Sequence, residues 1–313
     1  MNTFEIDNKR YTESILKTLS ESKNRINNEG AKEILSSLLM YETLKKYKEH
    51  QKPMNLLLYG KSGSGKTFLV EQLLKSIEKK YIFTDMKLYS DVGYQGKDVI
   101  SIFEDFLANE NYNLESVENG IIVFDEFDKI QTKETNMKDI TGLSIQHSLL
   151  KIMDGTTLNL PNKSGKRTMG SHININTSNM TFIFIGAFSY LEDYHNLHQK
   201  LASNGFTVEL INRFSNIIKI KELDKNDIMK FLNINNSQSP FHYYIQMFSD
   251  NDCEIIFNDF VKTCEIVIEK GLKIDNSLRG IEYYINSMFY PIIIDVLNSK
   301  IRCIYVDREK IVF

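Results

Sequence analysis

Apolar residues in the first fifty positions recur at spacings of three and four. They do so over 15–19 and again over 34–39, where leucine and isoleucine dominate. This period is that of one face of an α-helix, so the pattern predicts an amino-terminal helical segment over residues 1–50. The segment closes at Gln51 to Pro53, because proline cannot continue a helix.

Short, almost wholly apolar runs follow, as in strands that are buried on both faces. They cover 56–59, 81–83, 121–124, 181–185 and 217–220. The stretches between them include amphipathic ones such as Thr67 to Lys79. This alternation predicts an α/β domain over residues 51–222, with a mostly parallel sheet flanked by helices. Gly155 to Met180 has few apolar residues and three glycines, so we predict a long loop there.

The pattern changes after residue 222 and predicts a smaller, mainly helical domain over 223–313. The main predicted helices are 254–270 and 277–297, and short alternating runs follow near 301–306. We expect the last residues, Ile311 to Phe313, to pair with the run 304–306 as a hairpin, and an exposed docking tail is the alternative.

The composition is that of a packed globular protein. At 313 residues the chain exceeds what one hydrophobic core usually fills, and its 42% apolar and 25% charged residues are ordinary. The formal net charge of −3 creates no overall field toward nucleic acid or anionic membrane. The three cysteines are widely spaced and form neither a disulfide framework nor a zinc pattern, so we expect reduced thiols.

Neither a signal peptide nor a membrane span is expected. Residues 1–13 lack the apolar run of a signal peptide. The most apolar stretch, 288–297, is interrupted by Pro291 and Asp295. A cytoplasmic location is the resulting expectation.

A phosphate-binding loop is predicted between the first strand and the helix that follows it. The loop fits the Walker A pattern, and its residues are Gly60, Lys61, Ser62, Gly63, Ser64, Gly65, Lys66 and Thr67. Glycines let successive backbone N–H groups point at the phosphates, and the helix amino terminus adds its positive dipole end. In this interpretation Lys66 balances the charge of the β and γ phosphates of ATP, and the Thr67 hydroxyl is a ligand of Mg²⁺.

Two adjacent carboxylates end the apolar run 121–124, as in a Walker B strand. The carboxyl ends of strands are where open α/β sheets bind ligands. Asp125 is expected to hold Mg²⁺ through water, and Glu126 to orient and deprotonate the attacking water. The second acid favours an ATP hydrolase over a small-molecule kinase, which must exclude water.

Several further motifs give the chain a specific resemblance. The motifs occupy Gly93 to Val99, Asp125 to Ile130, Leu149 to Thr156, Thr177 to Asn179, Phe182 to Phe188 and Glu209 to Phe214. In order and spacing, over roughly residues 25–300, the chain resembles the ClpX family of AAA+ protein unfoldases. The related HslU unfoldases share several of these motifs but carry a large insertion before the acidic strand. The resemblance implies a homohexamer that binds ATP and Mg²⁺ and acts on protein substrates.

The resemblance also implies roles for individual residues. Tyr94 matches the aromatic pore-loop residue that grips an unfolded polypeptide. Residues 138–142 match a second pore loop, and Lys166 with Arg167 matches a basic loop at the pore entrance. A tyrosine covering a core edge, or a solvated basic loop, is the alternative explanation.

Two arginines and one isoleucine match further family positions. Arg213 falls where the family places an arginine finger, which acts on the nucleotide of the neighbouring subunit. Arg279 matches the second-sensor arginine of the small domain, and Ile26 occupies the approximate position of an adenine-packing residue. Either arginine could also be an ordinary surface side chain. His195 and His198 lack a third candidate ligand nearby, so we interpret them as solvated rather than metal-binding.

The chain departs from the family pattern in two places. No cysteine precedes Cys253, so we expect the four-cysteine zinc-binding domain of the family to be missing. The interval between Phe188 and Arg213 is short, so we also expect the loop that docks the ClpP peptidase to be missing. A ClpP-type peptidase is therefore not an expected partner.

Three functions remain open from the sequence. The leading hypothesis is a ClpX-like ATPase that unfolds or remodels proteins by translocating polypeptide through a hexamer pore. The alternative is a AAA+ switch or loader in DNA replication, plasmid or phage maintenance. A nucleotide-binding module without turnover is disfavoured by the intact Lys66, Asp125 and Glu126. The absence of a basic stripe and the presence of Tyr94 favour the first.

Overall fold

The computed structural model describes residues 3–21, 27–45, 47, 52–90, 98–132, 140–162, 172–191, 196–236, 239–298 and 300–312. The chain forms two compact units. The first comprises Met1–Lys23, Glu29–Lys61 and Lys66–Ile220, and the second comprises Asn24–Asn28, Ser62–Gly65 and Lys221–Phe313.

The first unit is built on a five-stranded parallel sheet in the order β2-β3-β6-β1-β7. Its strands are β1 Met54–Tyr59, β2 Tyr81–Asp85, β3 Ile121–Asp125, β6 Thr181–Gly186 and β7 Asn216–Lys219. The predicted α/β architecture is confirmed. The helices described around the sheet are α1 Thr3–Glu21, α2 Asn28–Lys45, α3 Lys66–Ser76, α4 Lys87–Ser90, α5 Ser101–Asn109, α6 Leu114–Glu118, α7 Ile140–Met153, α8 Leu197–Ser203 and α9 Val208–Ile211.

Apolar side chains cover both faces of this sheet, which explains why its central strands read as continuous apolar runs. Because side chains alternate along a strand, Leu57 and Phe184 belong to one buried cluster, while Leu56 and Ile183 belong to the other. The first cluster includes residues of α5 and α7, and the second includes residues of α1, α2 and α3. Burying each such side chain contributes roughly 1.5–3 kcal/mol.

A buried ionic cluster joins α1, α2 and the segment that follows α3. The Glu42 carboxylate accepts hydrogen bonds from Lys79 Nζ at 2.8 Å and Lys45 Nζ at 3.1 Å. The side chains of Lys79 and Glu42 are only 7% and 4% exposed, and Lys79 Nζ lies 4.2 Å from the Tyr11 ring centre. Burial lowers the pKa of Lys79 to about 8, although Glu42 opposes the shift.

The long loop predicted from Gly155 to Met180 is wrong, because two antiparallel strands lie within it. They are β4 Thr157–Pro161 and β5 His172–Asn176. Leu158 and Ile175 face each other and are buried, while the residues between the apolar positions are exposed. This period-two pattern is that of a half-buried hairpin, and the polar alternate residues hid it.

The second unit contains four described helices and a three-stranded sheet in the order β10-β9-β8. In chain order, the helices and strands of this unit are α10 Lys225–Leu232, α11 Pro240–Ser249, β8 Glu254–Phe257, α12 Phe260–Ile274, α13 Leu278–Leu297, β9 Cys303–Asp307 and β10 Lys310–Val312. The expected carboxyl-terminal hairpin is confirmed, since Ile311 is opposite Val306. Cys253 and Cys264 are buried, and Cys303 is half-buried.

The predicted helical start at Glu254 is wrong. Glu254–Phe257 is a strand that pairs in parallel with β9, and the helix begins only at Phe260. Two isoleucines and a phenylalanine suit a strand, and Asp259 then caps the helix by accepting a hydrogen bond from Lys262 N at 2.9 Å. Among the described residues, no helix is both long and apolar enough to cross a membrane.

Candidate functional site

The predicted phosphate loop connects β1 to α3 and takes a conformation that requires glycine. Gly63 and Gly65 have φ angles of 79° and 76°, in the left-handed region that L side chains rarely adopt. Helix α3 begins directly afterwards at Lys66. The amino terminus of this helix presents backbone N–H groups and a positive dipole end, which together suit an anion.

The Lys66 ammonium group is folded back onto the loop. Lys66 Nζ donates hydrogen bonds to the carbonyl oxygens of Gly60 at 2.7 Å and Lys61 at 2.8 Å. The residue is only 8% exposed, and burial lowers the pKa of Lys66, while the nearby carboxylates of Asp125, Asp128 and Glu126 oppose this shift. The loop therefore holds a cation amid acidic neighbours, close to where α3 begins.

Thr67 and Asp125 meet although they lie 58 positions apart in the sequence. Thr67 Oγ1 donates a hydrogen bond to Asp125 Oδ2 at 2.7 Å. A surface pocket of about 410 Å³ lies beside them, lined also by Glu71, Phe83, Thr84 and Asp85. The first turn of α3 and the end of β3 thus form one polar corner.

This corner carries two oxygen atoms of the kind that bind Mg²⁺ together with a phosphate. Among the described ranges, no group of three or more His, Cys, Asp or Glu residues could hold a metal ion. Mg²⁺ commonly binds one or two protein oxygens and completes its shell with waters and substrate phosphates. The Thr67 hydroxyl and Asp125 carboxylate are such oxygens.

Glu126 has an unusual backbone and two cationic neighbours. Its φ of 55° and ψ of 33° lie in the left-handed region, which is uncommon for a residue other than glycine. The carboxylate forms ion pairs with Lys87 Nζ at 3.3 Å and Lys129 Nζ at 3.8 Å. Lys87 reaches it because β2 and β3 pair with Asp85 opposite Asp125.

Asp128 ties the acidic strand to its neighbour in the sheet. Asp128 Oδ1 accepts a hydrogen bond from Ala187 N at 3.1 Å, just beyond the end of β6. Asp128 Oδ2 accepts one from Lys129 Nζ at 2.7 Å, which raises the pKa of Lys129. The turn after Glu126 is thereby fixed to the carboxyl edge of the sheet.

Arg213 lies just after α9 and is paired with an acid of the same chain. Its guanidinium Nε forms an ion pair with Asp154 Oδ1. The next residue, Phe214, packs on the rings of Phe127 and Phe184, with centroid distances of 6.0 and 5.4 Å. The structure therefore anchors the backbone at Arg213 in the aromatic core and places its side chain at the surface.

Arg279 lies in the first turn of α13, in the second unit. Ser277 caps this helix, because its Oγ accepts a hydrogen bond from Arg279 N at 3.2 Å. The Arg279 residue is exposed. Burial raises the pKa of Glu282, and the positive charge of Arg279 partly opposes this shift.

Several residues singled out by sequence fall outside the described ranges. They are Ile26, Tyr94, residues 138–139, Lys166, Arg167 and His195. Residues 140–142 begin α7, and His198 lies exposed in α8. Of the predicted site residues, the structure thus brings Lys66, Thr67, Asp125 and Glu126 to one edge of the sheet.

Comparison with protein families gives a match that spans this site. The family model described as "AAA domain (Cdc48 subfamily)" matches residues 51–217, more than half of the chain. The chain belongs to this family. The matched part of the AAA domain runs from just before β1 to β7 and includes the phosphate loop and the acidic strand.

The relatives of this AAA domain point to one branch of the family. The "ATP-dependent Clp protease ATP-binding subunit ClpX" of Bacteroides thetaiotaomicron is 26% identical over 278 residues, covering 79% of this chain and 66% of the relative. The protein of the same name from Bacteroides fragilis is 26% identical over 274 residues, covering 77% and 65%. This chain spans just under two thirds of their length. The resemblance to ClpX is confirmed, and the chain is a ClpX-like AAA+ ATPase, which places it among the hydrolases.

Sequence reasoning missed four residues around the site of this AAA domain. Lys87 and Asp154 pair with Glu126 and Arg213 through tertiary contacts that no local spacing signals. Asn55 lies directly before the apolar run 56–59, and Asp128 and Asp154 lie within motifs that assign them no individual role. An unexpected polar residue at the start of a buried strand was the one available signal, and it pointed to Asn55.

Proposed function

We propose that this protein hydrolyses ATP and uses the energy to unfold or remodel other proteins, by drawing polypeptide through the pore of a homohexamer. The observation that carries the ATPase part is the contact between Thr67 and Asp125, which joins the phosphate loop to the acidic strand. The similarity to ClpX subunits supports the protein-remodelling part.

Nucleotide binding would use the loop and the lysine. The backbone N–H groups from Gly60 to Thr67 would surround the phosphates, and Lys66 would exchange its two carbonyl partners for phosphate oxygens. Thr67 and Asp125 would hold Mg²⁺, directly and through water. When bound, the ion would neutralise negative charge on the phosphates.

Hydrolysis would depend on Glu126 as the base that orients and deprotonates water. The Glu126 carboxylate also forms ion pairs with Lys87 and Lys129, so the attacking water would compete with these two lysines for its oxygens.

The remaining roles come from the family resemblance. Arg213 would act as a finger on the nucleotide of the neighbouring subunit, and Arg279 as a second sensor. Ile26 would pack on adenine, and Tyr94 would grip the polypeptide in the pore. The proposed domains are residues 1–50, 51–222 and 223–313. We also propose that the protein forms no stable complex with a ClpP-type peptidase.

Steady-state ATP turnover separates this function from its alternative. We expect turnover to rise several-fold when a permanently unfolded polypeptide is added, and to stay unchanged with duplex DNA at low salt. The matched control is Lys66→Ala, which should show no turnover under any condition. Low salt is used in the DNA measurement because binding to DNA falls steeply with salt. Stimulation by DNA but not by polypeptide would favour the AAA+ switch or loader instead.

A further inference from the structure

The Arg213 side chain contacts an acidic residue of the same chain through one guanidinium nitrogen. Its Nε and the Asp154 Oδ1 atom form an ion pair in which neither atom has a hydrogen-bond partner among the described residues, and both atoms are excluded from solvent. The two side chains as wholes remain about one third exposed, at 36% and 34%. Arginine carries one donor at Nε and four at its two terminal nitrogens. The ion pair with Asp154 therefore engages the guanidinium through Nε rather than through its four terminal donors.

A buried amide aligns the two backbones that carry this pair. Asn55, at the start of β1, is only 2% exposed. Its Nδ2 donates to the carbonyl oxygen of Arg213 at 2.9 Å and to that of Met153 at 3.2 Å. One side chain thus joins the residue before Asp154 to Arg213 itself.

A second pair of contacts fixes the same strand to the segment after Arg213. Asn55 N donates to Ser215 Oγ at 3.2 Å, and Ser215 N donates to the Asn55 carbonyl oxygen at 2.7 Å. The end of α7 and the segment 213–215 are therefore both attached to β1, which also leads into the phosphate loop. These contacts fix the backbone on both sides of the ion pair between Arg213 and Asp154.

We propose that Asp154 is a positioning residue that aims the guanidinium of Arg213 at the neighbouring subunit's nucleotide, with Asn55 aligning the two backbones. This inference rests on the proposed role of Arg213 as a finger. We expect the ion pair to contribute only about 0–1 kcal/mol to stability, because the two side chains that carry it remain about one third exposed. A fixed orientation, by contrast, affects the rate strongly, since misplacement by about 1 Å can cost on the order of a hundredfold.

The test is a double-mutant cycle on ATP turnover in assembled protein. Asp154→Asn keeps the shape and removes the charge, and we expect turnover to fall about tenfold at unchanged ATP affinity and melting temperature. Asp154→Glu restores the charge one methylene further out and should recover part of the rate. Lys52→Ala is the matched control: Lys52 Nζ lies 3.9 Å from the same Asp154 oxygen, but its side chain is 73% exposed. Turnover of this control should equal that of the parent.

The decisive comparison is made in the Arg213→Ala background. If Asp154 acts through Arg213, adding Asp154→Asn there should lower turnover no further. An additional loss, or parental turnover in Asp154→Asn alone, would overturn the positioning role while leaving the finger intact. Normal turnover in Arg213→Ala would instead remove the finger assignment and the positioning role with it. If Asp154→Asn does not fold, the same cycle is run with Asp154→Glu, and additivity there would equally refute the proposal.

Discussion

Replacing Thr67 with Val should uncouple nucleotide binding from Mg²⁺. Valine keeps the shape of threonine but removes the hydroxyl that donates to Asp125 at 2.7 Å. Loss of this contact alone should change the free energy of unfolding by at most about 1 kcal/mol, because the hydrogen bond is exposed and water replaces it. The effect on Mg²⁺ should be larger. Removing even an outer-shell partner of a metal typically costs about 10–100-fold in affinity, so loss of a direct ligand should cost at least about tenfold.

The assay is equilibrium binding of a fluorescent ATP analogue, measured with Mg²⁺ and again with EDTA. In the parent, Mg²⁺ should tighten binding. Thr67→Val and Asp125→Asn should bind nearly as well as the parent in EDTA but gain little from Mg²⁺, while Thr67→Ser should behave like the parent. If Thr67→Val retains the full gain from Mg²⁺, the hydroxyl is not a ligand and the corner formed with Asp125 has another role.

Three further outcomes are expected. Glu126→Gln should bind ATP but hydrolyse it at least about a hundredfold more slowly. Mixing this variant with Arg213→Ala should restore some turnover, because mixed rings contain interfaces that have both groups. If no mixing ratio restores turnover, the active sites are not shared between subunits. Burial lowers the pKa of Lys79 to about 8, so between pH 8 and 10 the unfolded chain binds more protons than the folded one. In urea unfolding, the stability of the parent relative to Lys79→Met should therefore rise by about 2 kcal/mol over this range. A difference that does not change with pH would refute this. Tyr94→Ala should keep ATP turnover but lose substrate unfolding, and a proportional loss of both would make Tyr94 structural.

The parallel sheet and the phosphate loop were predictable because their signals are local. A strand buried on both faces must be almost wholly apolar, as residues 121–124 are, and a loop that curls around phosphates needs glycine at fixed spacing. The β4–β5 hairpin was not predicted, because polar residues separate the few apolar ones that carry its pattern. These are Leu158, Leu160, Ile173 and Ile175.

The contacts around the candidate site were not predictable, because they depend on register. Lys87 reaches Glu126 only because Asp85 lies opposite Asp125 in the parallel pair. Asp154 meets Arg213 across 59 positions of the chain, and only the fold sets that distance. Spacing along the sequence carries no information on such pairs.

The central claim is that ATP hydrolysis drives the unfolding of polypeptide. The most direct measurement follows the fluorescence of a folded reporter that carries a long unstructured tail, with the protein and ATP present. We predict that fluorescence falls with the parent protein and ATP, and that it stays constant with Glu126→Gln, which binds ATP without turning it over. Steady ATP turnover by the parent with unchanged reporter fluorescence, or equal loss of fluorescence with Glu126→Gln, would contradict the claim.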